Sequence, residues 1–222
     1  MASNIICIFP KDETTDFLLP IYESLGKIDS FLGFRSDNNE ELFQSVSDAI
    51  NAINAENNLI VFLGHGASNC LYGTPVNGLK TKLFELSNVD LFDGQNIFLL
   101  ACRSAEFINS ILGRNIVNGI GFGDIITEYR EVVAERDTGD SSFLPDIDNE
   151  AIEEFKNSLV NVASNTFNQY IEEDMSFENL FSYLKLMINK EISELLINKE
   201  KVNCRVVSDL LFDLKNEITL VV

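Results

Sequence analysis

The sequence predicts an α/β protein: a mostly parallel sheet with helices on both faces, a three-layer α/β/α sandwich. Three observations predict it. Short runs at residues 5–9, 59–63 and 96–101 are apolar on nearly every residue, the pattern of strands buried on both faces. Between them lie segments whose apolar residues recur at helical spacing. Strands alternating with helices join in parallel through right-handed crossovers.

Residues 5–9 form the first strand. Phe17, Leu18, Ile21, Leu25 and Ile28 then mark a helix. Pro20 suits only its first turn, and Gly26 weakens its end. Residues 31–35 read as a second strand, and Leu42, Val46, Ala49, Ile50 and Ile53 as one stripe of an amphipathic helix. The strand over 59–63 ends in Gly64-His65-Gly66. Residues 67–80, with Gly73, Pro75 and Gly78, read as a loop or hairpin, and 81–86 as a short helix. The strand over 96–101 runs into Cys102, and Ser104 is the expected N-cap of a helix over 105–112. Residues 115–122 make a further strand, loosened by Gly119 and Gly121. Residues 131–134 are expected as an edge strand, and 135–148 (ERDTGDSSFLPDID) as an acidic surface loop. Helices over 148–172 and 177–197 and a terminal strand over 218–222 complete the pattern. One domain is expected over 1–222: a catalytic core (1–129), an acidic loop (130–148) and a helical part (149–222).

The 222 residues carry a formal charge of −19. Nucleic-acid binding needs basic surface to displace counterions, so this charge argues against it, and against an anionic membrane surface. No secretory leader is read at the N-terminus, and no apolar run approaches the roughly 20 residues of a spanning helix. The cysteines, Cys7, Cys70, Cys102 and Cys204, include no Cys-x-x-Cys pair, and there is one histidine. No metal and no cofactor is expected, and a reduced, cytoplasmic setting is.

That histidine, His65, directly follows a buried strand, and Cys102 ends the next one 37 residues later. If the two strands are neighbours, both side chains emerge at one sheet edge, where ligands of such sheets bind. A nucleophile and its base need hydrogen-bond reach from separate elements. The helix expected after Cys102 would favour a thiolate, and an imidazole can take the thiol proton. Gly66 lacks a Cβ, so its N–H can approach an oxyanion. Singly, a cysteine at a strand end is more often a small buried hydrophobe. No residue stands out in the sequence as the orienter of His65.

Gly64-His65-Gly66 after one apolar strand, and the run from Ile97 through Leu100-Ala101-Cys102 with Ser104 two places on, resemble the caspase-like cysteine peptidases. Among these, the bacterial CHAT and caspase-like defence peptidases are most similar. The resemblance covers roughly residues 4–129. It implies the caspase-hemoglobinase fold, His65 as general base, Cys102 as nucleophile and Gly66 as oxyanion donor. It also implies a protein substrate, with a separate activating or recruiting protein as a further partner. Leu100-Ala101-Cys102-Arg103-Ser104 departs from the Gln-Ala-Cys-x-Gly of caspases proper, which argues against cleavage after Asp. By the same resemblance, Asp124, with Glu128 as second candidate, would line a pocket for Arg or Lys. Arg130 and Arg136, flanking the acidic loop, are then candidate self-cleavage sites. The alternatives are a catalytically silent caspase-like interaction module and a TIR- or receiver-like signalling domain.

Overall fold

A computed structural model describes residues 4–53, 58–111, 115–139, 143–198 and 202–222. The protein is α/β with a mostly parallel central sheet. Its strands are β1 (Ile5–Ile8), β2 (Phe31–Phe34), β3 (Leu59–Leu63), β7 (Asn96–Leu100), β8 (Asn118–Gly121) and β9 (Thr219–Val221), in the order β2-β1-β3-β7-β8-β9. All neighbours are parallel except β8 and β9. A smaller antiparallel sheet, β4 (Gly66–Ala67), β5 (Cys70–Tyr72) and β6 (Lys82–Glu85), sits between β3 and β7 in sequence.

Every residue of β1, β3 and β7 is buried, because alternate side chains feed two different cores. Ile5, Cys7, Val61, Phe98 and Leu100 join the core shared with α1 (Leu19–Leu25), α5 (Asn149–Glu172), α6 (Phe177–Ile197) and α7 (Cys204–Glu217). Ile6, Ile8, Ile60, Phe62 and Leu99 join the opposite core, with α2 (Asn39–Ile53) and α3 (Ser104–Ser110). Phe98 anchors the first core, its ring 4.8 Å from Phe167 and 5.4 Å from Phe122.

The helices over 148–172 and 177–197 and the terminal strand stand where the periodicity puts them. Three elements differ from the sequence expectation. Residues 82–85 are strand β6, paired with β5, not a helix. Residues 131–134 belong to helix α4 (Tyr129–Thr138), not to an edge strand. The Glu131 carboxylate accepts the Thr127 and Glu128 N–H groups, at 3.0 and 3.2 Å, and starts the helix. Helix α4 also takes up the beginning of the expected acidic loop. Finally, α7 was not anticipated, although Val207, Leu210, Leu211 and Leu214 fall at helical spacing.

The turn after Cys102 is bolted to the end of β8. Arg103, not Ser104, is the N-cap of α3, and it sits in the left-handed region (φ 55°). Ser104 is the first helical residue. Its hydroxyl donates to Leu99 O (2.6 Å) and accepts from Phe122 N (2.9 Å). Arg103 N donates to Gly123 O, and Ala105 N to Phe122 O. A Cβ at Gly121 would lie 2.6 Å from Ala105 N and 2.7 Å from its Cα. Because these atoms are backbone, Gly121→Ala must move α3 off the sheet. The expected loss is about 1–3 kcal/mol of stability, the usual cost of overpacking, read as a lower urea midpoint at an unchanged slope. An unchanged midpoint would contradict this packing.

Candidate active site

Strands β3 and β7 are parallel neighbours, with Leu63 registered against Leu100. His65 and Cys102 each lie two residues beyond that matched pair, so the chain delivers them to one sheet edge at one level. Gly64 N still donates to Leu100 O at 3.2 Å, holding the strand ends together up to the residue before the histidine. Both side chains line one groove of about 590 Å³.

His65 is held from behind by a loop that sequence reasoning passed over. The segment after β1 brings Asp12 and Thr14 to the same edge, since β1 pairs with β3. The Thr14 hydroxyl lies 2.6 Å from His65 Nε2 and 2.7 Å from Asp12 Oδ1, and Asp12 Oδ2 lies 3.5 Å from Nε2. Thr14 has one hydroxyl proton. The carboxylate has none to give, so the hydroxyl donates to Asp12 and accepts from Nε2–H. This assigns the proton of the neutral ring to Nε2 and leaves Nδ1 with a lone pair. The Thr14 N–H also donates to Asp12 Oδ1, at 3.0 Å. His65 and Asp12 side chains are each 11% exposed, so the ring is both fixed and largely dry. Asp12 and Thr14 were visible in the sequence only as loop residues after Pro10. Their signal was position, following the strand beside β3, rather than type.

Cys102 is half-buried, and its Sγ donates to Ile125 O at 3.1 Å. No hydrogen bond joins it to His65 in this state. Burial pushes the Cys102 thiol up to about 11; the Glu131 and Asp124 carboxylates push the same way, against Lys80 and the Ile125 backbone. The His65 pKa is lowered, first by burial and then by Lys80, against the opposing pull of Asp12 and Glu128. The resting pair is therefore neutral thiol and neutral imidazole. The thiolate expected from the start of α3 is outweighed by desolvation.

Gly66 lines the groove, and a Cβ there would lie 2.7 Å from Cys102 O and 3.0 Å from Ala101 Cβ. The glycine is needed because the β4 backbone passes directly over the turn that carries Cys102. Asp124 also lines the groove, with its N–H donating to Glu217 Oε2 at 3.0 Å. Glu128 does not line it. It precedes α4, pairs with Arg130 at 2.5 Å, and faces a neighbouring cavity. The groove's other acids are Glu131 and Glu135 of α4, which the sequence did not single out. Lys80 and Arg103 also reach it, Arg103 with its guanidinium held by Glu106 at 2.7 and 2.9 Å. Arg136 donates to the Phe143 and Leu144 carbonyls. Among the described residues no group of three or more His, Cys, Asp or Glu is placed to hold a metal, and no helix is long and apolar enough to cross a membrane.

The fold and site together define an α/β protein with a histidine and a cysteine at the carboxyl ends of adjacent parallel strands. Comparison of the chain with protein-family models, with curated proteins and with solved structures finds no match in any of the three.

Proposed function

We propose that the protein is a cysteine endopeptidase of the caspase-like kind, with the caspase-hemoglobinase fold. The observation that carries this reading is the registered placement of His65 and Cys102 on one groove, with Asp12 and Thr14 orienting the imidazole. In the reaction, Cys102 Sγ bonds to the scissile carbonyl carbon while its proton passes to His65 Nδ1. That proton goes to the leaving amine as the C–N bond breaks. Water, deprotonated by the same imidazole, then releases the acyl group and restores the thiol. Gly66 N–H is the oxyanion donor in this scheme.

The groove suits a peptide. Asp124, Glu131 and Glu135 line it against Lys80, while the Arg103 charge is already paired with Glu106. Its excess of acid favours a polypeptide with basic residues along its length, in keeping with the −19 charge of the chain. The test is incubation with a mixed peptide library, followed by mapping of new termini. Cuts at defined positions are the expected result, and a library left intact with and without cell extract would sink the reading.

A second reading has one observation in its favour. Cys102 bonds to Ile125 O and not to His65 in this state, as in a domain that keeps the residues but serves as an interaction module. Under that reading extract would not elicit cleavage.

A further inference from the structure

We infer, on the strength of the peptidase reading, that the substrate residue whose carbonyl Cys102 attacks carries a small uncharged side chain, alanine in the first place. Its seat is a second cavity, distinct from the acidic groove, that shares His65, Cys102 and Ile125 with it. This inner cavity lies on the side of the α1–α5 layer, closed by Phe17, Leu18, Leu100 and Leu159. A side chain entering it leaves its own carbonyl beside Cys102, because Cys102 forms part of the wall.

Charge and size both select the occupant. Apart from the neutral dyad, the polar side chains lining the cavity are Thr15 and Thr127. The Thr15 hydroxyl proton is already given to Asp12 O, at 3.1 Å. Among the described residues, no carboxylate and no Lys or Arg lines the space. Asp124, Glu131 and Glu135 line the groove and not the cavity. A basic or acidic side chain would enter without a counter-charge and lose its hydration. The free space is about 20 Å³, close to what one water molecule requires, and a methyl group is of that size. Larger apolar side chains must displace Leu100 or Ile125, which are 1% and 5% exposed and packed in the core.

The experiment uses peptidyl acyloxymethyl ketones that differ only in the residue next to the reactive group: Ala, Leu, Arg or Asp. In the labelling step Cys102 sulfur forms a C–S bond to the methylene, a carboxylate leaves, and the thiol proton goes to His65. The rate of Cys102 labelling in the full chain is read by mass spectrometry. The Ala probe is expected to react at least about 100-fold faster than the Arg and Asp probes, a pocket without partners for charge being strongly selective. Ile125→Ala, which keeps the carbonyl facing Cys102 but enlarges the cavity, is expected to raise the Leu-to-Ala ratio by about tenfold. Fastest labelling by the Arg probe would overturn the inference and return the choice to Asp124. An unchanged ratio in a folded Ile125→Ala protein would also overturn it. Failure of all four probes with and without cell extract, where iodoacetamide still labels Cys102, would sink the peptidase reading itself and the inference with it.

Discussion

Cys102→Ala is expected to abolish peptide cleavage, by a factor on the order of 10⁴ or more, since nucleophile and base act as one unit. His65→Gln is expected to reach the same floor. Glutamine keeps an N–H for the Thr14 hydroxyl, so it leaves the Asp12–Thr14 pair partnered, but it cannot accept a proton at neutral pH. The double variant should be no slower than either single one. Stability should move little, by about 1 kcal/mol, because Cys102→Ala removes one half-buried S–H···O contact. The measurement is the initial cleavage rate of each variant beside its urea midpoint. Residual cleavage within tenfold of the wild type in Cys102→Ala, with an unchanged midpoint, would remove Cys102 from the chemistry. Losses that multiplied in the double variant would mean that the two residues act separately.

The sheet was legible because its strands are buried on both faces. Residues 59–63 are apolar throughout, and all five sit in one core or the other. The long C-terminal helices were legible for the complementary reason, one apolar stripe repeated over many turns. Short elements were not. Lys82-Leu83-Phe84-Glu85 buries two adjacent residues, a pattern with neither the strand nor the helix period, and only its pairing with β5 fixes it. In α4, Val132 is the single buried residue. The Val132-Val133 pair therefore mimicked a strand, while the decisive feature was the capping carboxylate of Glu131.

The dyad could be read because its two members each follow a strand that is unmistakable in sequence. The third part of the site could not. Asp12 and Thr14 approach His65 only through the β1–β3 pairing, across more than 50 residues of chain. Local sequence shows them as an acid and a hydroxyl in a turn. Gly66 was read as an opening for an oxyanion, and the structure adds a separate steric demand, the Cys102 carbonyl 2.7 Å from where its Cβ would be. The ionisation of Cys102 was misjudged. A seven-residue helix preceded by a left-handed Arg103 supplies too little field to offset removal of the sulfur from water.

Iodoacetamide should therefore alkylate Cys102 in the resting protein slowly at pH 7. The rate should then rise about tenfold per pH unit, since only the thiolate reacts. With the thiol at about 11, roughly one molecule in a thousand is ionised at pH 8. An unfolded cysteine, at the ordinary 9.0, is about one tenth ionised there. Native Cys102 should therefore react about two orders of magnitude more slowly than the same residue in denaturant. The sign for stability follows. The folded-state value stands above the ordinary 9.0, so the neutral thiol's contribution is intact below pH 9 and is lost as pH rises from there toward 11. The rate is thus best followed between pH 7 and 9, by peptide-resolved mass spectrometry. A log-linear rise is what a neutral dyad requires, with proton transfer to His65 deferred until a substrate carbonyl is in place. A rate already high and flat at pH 6 would mean a preformed thiolate–imidazolium pair. Cys102 would then have left Ile125 O for His65, and the hydrogen bond from Sγ to the Ile125 carbonyl would not describe the protein in solution.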